Sequence, residues 1–357
     1  ISIKLIFSGI LIFSNFSELI QLNFIFSLTI LIGCSNNNKV VEPLKESELL
    51  MGTVVTVSLY DKQDQAILDK VFAKVKELES ILSINEAGTL VDKINEEAGI
   101  NPVKVDDDTY TIIKKGIEYS ELSNGLFDIT VGPIVKLWSI GLPEAKVPTQ
   151  AEIDEKLPLI GYNDIELNDE DKTVYLKRKD MIIDLGGIAK GYTADVISNI
   201  LTEEGVKSAI IDLGGNIFAH GKKVNGDDWR IGIQDPYSDR GDKVGVITVS
   251  NKSVVTSGIY ERYIEKDGVK YHHILSPLTG YPYENEIAGI TIVSDKSVDG
   301  DALSTSVFAM GVEEGMNFVN SIDGIDAIFV TKDNKVYITN GLKGNFSLTN
   351  ESFTLEN

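Results

Sequence analysis

The stretch Ile183-Asp184-Leu185-Gly186-Gly187-Ile188-Ala189-Lys190-Gly191-Tyr192 decides how the chain is read. Its apolar start is predicted to end a strand, its two glycines to turn sharply, and its continuation to form a helix up to Glu204. Glycine at such a turn permits positive φ or the close approach of a ligand. The first helical amides, beside Lys190, are the parts of a phosphate cradle. The spacing is neither G-x-G-x-x-G nor a Walker sequence, and a plain strand-to-helix turn accounts for the same residues. Ile211-Asp212-Leu213-Gly214-Gly215 repeats the motif and leads into Asn216-Ile217-Phe218-Ala219, which reads as a strand.

Upstream, the β-branched run at 54–60 predicts a strand, and Ile67, Leu68, Phe72, Val75, Leu78 and Leu82 recur at helical spacing, an α/β opening. A helix is predicted over 109–122, ended by Ser123-Asn124-Gly125. Residues 142–180 carry charges and turns and are expected to be an inserted or surface segment. Further strands are predicted at 244–249, 253–257, 287–293, 328–331 and 336–338, with a helix over 299–319 softened at Gly311 and Gly315.

The 357 residues suit one large or two small domains. Lys and Arg number 33 against 54 Asp and Glu, a formal net charge of −21 that repels polyanions and excludes nucleic acid as a partner. A single cysteine cannot build a disulfide framework or a thiolate zinc site, and three histidines cannot build a His-rich one. A bound metal would take oxygen ligands, which suits Mg²⁺ or Ca²⁺. Residues 1–33 are strongly apolar, with Lys4 the only cation, and end in Leu31-Ile32-Gly33-Cys34 before a polar run. They are expected to be a secretory signal peptide, and the junction resembles a bacterial lipoprotein cleavage site in which Cys34 takes the lipid. An uncleaved membrane anchor is the alternative, interrupted by Glu18, Gln21 and Asn23. Residues 34–50 are then a polar, patternless tether and 51–357 the domain, held by lipid on the extracytoplasmic face of a bacterial membrane, the periplasmic side in a Gram-negative cell.

Four other stretches carry chemistry. Asp301-Ala302-Leu303-Ser304-Thr305 is expected to open a helix, and the two oxygen-bearing residues four apart could hold a hard cation. A capped helix start followed by a buried Thr is the plainer alternative. Tyr271-His272-His273-Ile274-Leu275-Ser276-Pro277 joins two histidines to a turn, where one could act as a general base or both could be structural. Arg262, just upstream, can pair with carboxylate or phosphate. Gly125-Leu126-Phe127-Asp128-Ile129-Thr130-Val131-Gly132-Pro133 offers a ring and an acceptor to a planar ligand, or is a core strand entering a turn.

Taken in order, Met51-Gly52-Thr53, the Phe127–Pro133 run, Asp184 to Gly191, the second Asp-Leu-Gly-Gly-Asn, Ser257-Gly258 with Tyr260 and Arg262, His273-Ile274 with Pro277, Thr279 and Gly280, and Asp301 to Thr305 resemble the FAD:protein FMN transferase (ApbE) family over about 51–311. The resemblance implies an α+β fold, a T-fold-like core with an additional smaller α/β region. It also implies a magnesium-dependent transferase outside the cytoplasmic membrane that takes FAD, releases AMP and attaches FMN through a phosphoester to a Thr or Ser. The acceptor so implied is a flavoprotein subunit of a membrane redox complex or an extracytoplasmic FMN-binding domain. By matching positions, Asp301 and Thr305 side chains and the Gly187 carbonyl are expected to hold Mg²⁺. Met51, Asn85, Phe127, Asp128, Ile129, Asp184, Lys190 and Ile274 are expected to line the FAD site, and His273 to be the catalytic base on the incoming hydroxyl. Ser276 stands where the family usually has an acid. The alternatives are a FAD pyrophosphatase giving FMN and AMP, and a non-catalytic flavin- or solute-binding lipoprotein, which needs neither a histidine base nor a metal pair.

Overall fold

The structure, a computed structural model, describes residues 41–84 and 86–356. The expected signal peptide, Cys34 and Asn85 lie outside the described residues. The chain begins with a hairpin of β1 (Leu44–Leu50) and β2 (Thr53–Leu59), followed by α1 (Gln65–Leu82), α2 (Leu90–Glu96), β3 (Val103–Lys104), α3 (Asp107–Leu122), α4 (Gly132–Trp138) and α5 (Gln150–Lys156). Next come β4 (Ile165–Asn168), β5 (Thr173–Leu176), α6 (Ala189–Glu203), β6 (Ser208–Leu213), β7 (Asn216–Gly221), β8 (Trp229–Gln234), β9 (Lys243–Val249) and β10 (Lys252–Gly258). The last part holds β11 (Tyr263–Lys266), β12 (Val269–His272), β13 (Ile287–Ser294), α7 (Ser297–Asn320), β14 (Asp326–Thr331), β15 (Lys335–Ile338), β16 (Phe346–Leu348) and β17 (Thr354–Leu355).

Nine strands form one sheet in the order β1-β2-β6-β7-β10-β13-β14-β15-β17, antiparallel except where β15 meets β17. Spatial order therefore follows chain order, and the helices and smaller sheets are excursions between neighbouring strands. On one face α1 and α6 bury Phe72, Val75, Ile197 and Leu201 against Val55, Val57 and Ile211 of the sheet. On the same side α7 sets Leu303, Val307 and Phe308 against β13 and β14. The three-stranded sheet β16-β9-β8 covers the opposite face through Trp229, Ile231 and Ile247. Every residue of β13 is buried, as a strand covered on both faces requires. A second three-stranded sheet, β3-β5-β4, gathers with α2 and α3 around Ile94, Ile112 and Val174.

The α+β class is as expected, and most predicted elements appear within a residue or two: β2, α1, α3, β9, β10, β13, β14 and β15. Gly311 has φ 79° inside α7 and kinks it where softness was expected. The 142–180 segment supplies α5, β4 and β5.

Two expectations need correction. Residues 44–50 are not tether but the edge strand β1, in full register with β2 from Leu44↔Leu59 to Leu50↔Thr53. Hydrophobic alternation is hidden there because the half-buried positions include Glu46, which accepts from Gln65 Nε2 at 2.6 Å, and Glu48, 2.8 Å from Lys76 Nζ on α1. The run before Gly186 is also not a strand: Ile182 makes only an isolated bridge to Val131 before the turn into α6. The second Asp-Leu-Gly-Gly does end a strand, β6, and turns straight into β7.

Candidate active site

Asp184 organises the glycine turn. Its amide donates to the Ile129 carbonyl at 2.7 Å, and its Oδ1 accepts from the Gly186 amide at 2.8 Å, a side-chain-closed turn that aims the chain into α6. Burial raises the Asp184 pKa, against the pull of that hydrogen bond and of Lys136 and Lys190. No N-cap side chain closes α6, but its Ala189 amide donates to the Leu185 carbonyl at 2.8 Å and its Gly191 amide to the Asp301 carboxylate at 2.8 Å, so the Lys190 amide is the first-turn donor left to an anion. A Cβ on Gly187 would lie 3.0 Å from the Phe127 ring, and one on Gly191 would lie 2.3 Å from the Ser297 carbonyl oxygen. Glycine at these positions lets the turn pass between the Phe127 ring and the start of α7.

The opening of α7 is held by Asp195 of α6, whose carboxylate accepts from the amides of Ser297 at 2.8 Å and Val298 at 2.9 Å. Burial pushes the Asp195 pKa up to about 6 despite these bonds. Asp301 therefore does not open the helix, as the sequence suggested, but sits in its second turn, 4% exposed. Its Oδ2 accepts the Gly191 amide at 2.8 Å, and its Oδ1 lies 3.7 Å from Lys190 Nζ. Because Gly191 donates to this carboxylate, its amide is not spent on the Gly187 carbonyl one turn back. Thr305 lies one turn beyond Asp301 on the same face.

His273 follows β12 directly. Its backbone amide donates to the Arg262 carbonyl at 3.1 Å, and its Nδ1 donates to the same oxygen at 3.3 Å. That bond sets the tautomer and leaves Nε2 as the basic nitrogen. Burial draws the His273 pKa down to about 4, against the hydrogen bond to the Arg262 carbonyl and with the charges of Arg262, His272 and Lys190 acting in the same direction. Ser276 does not orient the ring: its Oγ accepts from the amides of Leu278 and Thr279, both at 3.2 Å. The orienting acceptor is the Arg262 carbonyl.

These parts meet in one cavity of about 550 Å³, within the range of small-molecule and cofactor sites. Met51, Phe127, Asp128, Asp184, Gly187, Lys190, His273, Ile274, Asp301 and Thr305 all line it. Met51 and Gly52 form the β1–β2 turn with φ 54° and 68°, the two-residue type whose twist suits a hairpin. The Met51 amide donates to the Glu79 carboxylate, and Arg262 Nη2 donates to the Gly52 carbonyl at 3.0 Å. Asp128 is 5% exposed and staples its own loop, taking Thr130 N and Oγ1 at 2.7 Å and Tyr162 N at 3.1 Å. Ile129 is not brought to the cavity: its side chain is 1% exposed in the core against Gly116, and only its carbonyl serves the site, through Asp184. The Phe127–Pro133 run is not a core strand but a loop entering α4, with Phe127 and Asp128 at the cavity wall.

Glu79, Arg240 and Asn216 also line the cavity and carry no role in the sequence reading. No local pattern marks them, since each comes from a different element. Lys190, Arg240 and Arg262 give the wall three cations in a chain of net charge −21. Among the described residues no three His, Cys, Asp or Glu side chains group closely enough to hold a metal. The Asp301 carboxylate, Thr305 hydroxyl and Gly187 carbonyl nevertheless form an all-oxygen set of the kind a hard cation takes, with ligand oxygens to complete its shell.

A profile of the ApbE family matches residues 51–329. The chain is 38% identical over 301 residues to a protein of Klebsiella pneumoniae named FAD:protein FMN transferase, covering 84% of this chain and 93% of that one. It is 35% identical over 343 residues to one of the same name from Treponema pallidum, covering 91% and 94%. Among solved structures, the ApbE protein of Thermotoga maritima superposes with a TM-score of 0.79 at 32% identity, over 85% of this chain and 99% of that one. The flavin transferase ApbE of Vibrio cholerae does so at 0.76 and 27%, with the same coverage. Fold, cavity and similarity agree, and the chain belongs to the ApbE family.

Proposed function

We propose that the protein is a flavinyltransferase that moves FMN from FAD to a Thr or Ser hydroxyl of an acceptor flavoprotein and releases AMP. The hydroxyl oxygen attacks the FMN-side phosphorus, the bond from that phosphorus to the AMP phosphate breaks, and the hydroxyl proton passes to His273 Nε2. The observation that carries this reading is the meeting, in one cavity, of the uncapped α6 turn with Lys190, the Asp301–Thr305 pair, and a histidine whose Nδ1 is held by a backbone carbonyl. Phosphoryl transfer asks mainly for in-line placement and for neutralisation of phosphate charge. Lys190, through its ammonium and its backbone amide at the start of α6, supplies the second, and the tautomer fixed at His273 supplies a proton acceptor. Asp301, Thr305 and the Gly187 carbonyl would hold Mg²⁺, which when bound adds charge neutralisation at the diphosphate.

Incubating the protein with FAD, Mg²⁺ and an acceptor flavoprotein tests the reading. Covalently fluorescent acceptor with one AMP released per label supports transfer. AMP and FMN without label identify a pyrophosphatase, and intact FAD identifies a binding protein. The same proposal places the protein on the extracytoplasmic face of a membrane through lipid on Cys34, serving a membrane redox complex or an extracytoplasmic FMN-binding domain. Absence of palmitate labelling at Cys34 in the producing cell would overturn the anchor.

The lowered pKa of His273 makes a separate prediction. The base acts in its neutral form, so its acid limb should fall near pH 4, below the ordinary imidazole value. Activity per bound FAD should stay level from about pH 7 down to about pH 5, fall to about half near pH 4 and decline about tenfold per unit below that. A limb centred near 6.5 in the pH–rate profile would show that the imidazole is solvated during the reaction.

A further inference from the structure

The second Asp-Leu-Gly-Gly ends β6, and its glycines, with φ 64° and 102°, make the tight turn that places Asn216 at the head of β7. Asn216 lies between Leu213 of β6 and Val255 of β10, is 2% exposed, and belongs to the cavity wall. Ser253 Oγ donates to Ser297 Oγ at 2.9 Å, and Ser297 Oγ donates to Asn216 Oδ1 at 2.6 Å. This relay fixes the carboxamide with its oxygen toward α7. Its nitrogen has no hydrogen-bond partner among the described residues. A carboxamide nitrogen carries two donor hydrogens, and buried donors without acceptors are rare enough to require an explanation.

Position supplies one. Ser297, Asp301 and Thr305 stand four apart along one face of α7, so the serine that bonds Asn216 lies about one helical turn from Asp301. Ser297 and Asp301 both abut Gly191, next to Lys190 in the first turn of α6. We infer that Asn216 donates a hydrogen bond through Nδ2 to a non-bridging oxygen of the dinucleotide's diphosphate. A phosphate oxygen is an acceptor only, and it matches a donor locked with no freedom to reverse. The inference rests on the reading of the cavity as a FAD site.

The test compares binding of FAD and of riboflavin, which lacks phosphate, to the parent protein, Asn216→Ala and Asn216→Asp, followed by flavin fluorescence. FAD affinity should fall about tenfold or more in Asn216→Ala, the usual worth of a hydrogen bond to a charged group, while riboflavin affinity is unchanged. Asn216→Asp keeps the acceptor for Ser297 but puts an anion against the phosphate, so its loss for FAD should be larger still. If Asn216→Ala folds poorly by thermal melting, the isosteric Asp variant carries the comparison. Equal FAD affinity in parent and variants overturns the assignment, and so does a parallel fall for riboflavin, which marks general collapse of the cavity. A parent that binds FAD but labels no acceptor removes the transferase reading and leaves this measurement standing; a parent that binds no FAD overturns both.

Discussion

Replacing His273 with alanine should leave FAD affinity near the parental value and lower the rate of acceptor labelling by about 10²–10⁴-fold, the usual contribution of a positioned general base. The separation follows from where the side chain is held. Its Nδ1 is tied to the Arg262 carbonyl and its backbone amide to the same oxygen, so the anchoring is shared with the main chain and survives truncation in part. What is lost is Nε2, the nitrogen available to accept a proton. The kinetic signature should be a fall in kcat with little change in KM. Labelling at the parental rate would remove His273 from the chemistry, and loss of FAD binding in equal measure would make it a wall residue instead.

Asp301→Asn should abolish the response to added Mg²⁺ and lower transfer by about 10²–10³-fold, which at about 1.4 kcal/mol per decade matches the several kcal/mol a metal ion contributes to phosphoryl transfer. Asparagine is the informative replacement because its Oδ1 can still accept from the Gly191 amide, keeping the α6–α7 contact while deleting the charge. Both variants leave Lys190 without its anionic neighbour, but alanine would also orphan that buried amide, at a cost of about 1–3 kcal/mol in folding stability. The two variants should therefore match in lost activity and differ in thermal melting. An unchanged magnesium titration in Asp301→Asn would place the metal elsewhere.

Much of the site was legible because each part carries a local signal. The Gly-Gly turn, the Asp301–Thr305 spacing and the paired histidines can all be read within a dozen residues. Where the reading slipped, a partner distant in sequence was responsible. The sequence placed Asp301 at a helix start, yet the start lies four residues earlier because Asp195, about a hundred residues away, caps it. Ser276 occupies the usual place of an orienting acid, and the Arg262 carbonyl orients the imidazole, a backbone group that no residue pattern reveals. Ile129 matched the binding motif, but Gly116 on α3 opens a slot that takes its side chain into the core.

The sequence by itself determined which segments are helices wherever one face is apolar, as in α1 and α3, because hydrophobic period is a property of a few consecutive residues. With one cysteine and three histidines it also argued against a thiolate or His-rich metal site. Tertiary structure alone decided that β1 is a strand, since its inward glutamates make sense only opposite Gln65 and Lys76. It decided, too, that Gly191, Ser297 and Asp301 touch, and that Asn216 has a donor to spare. Hydrogen bonds between residues a hundred positions apart depend on how the sheet orders its strands, and no window along the chain contains that order.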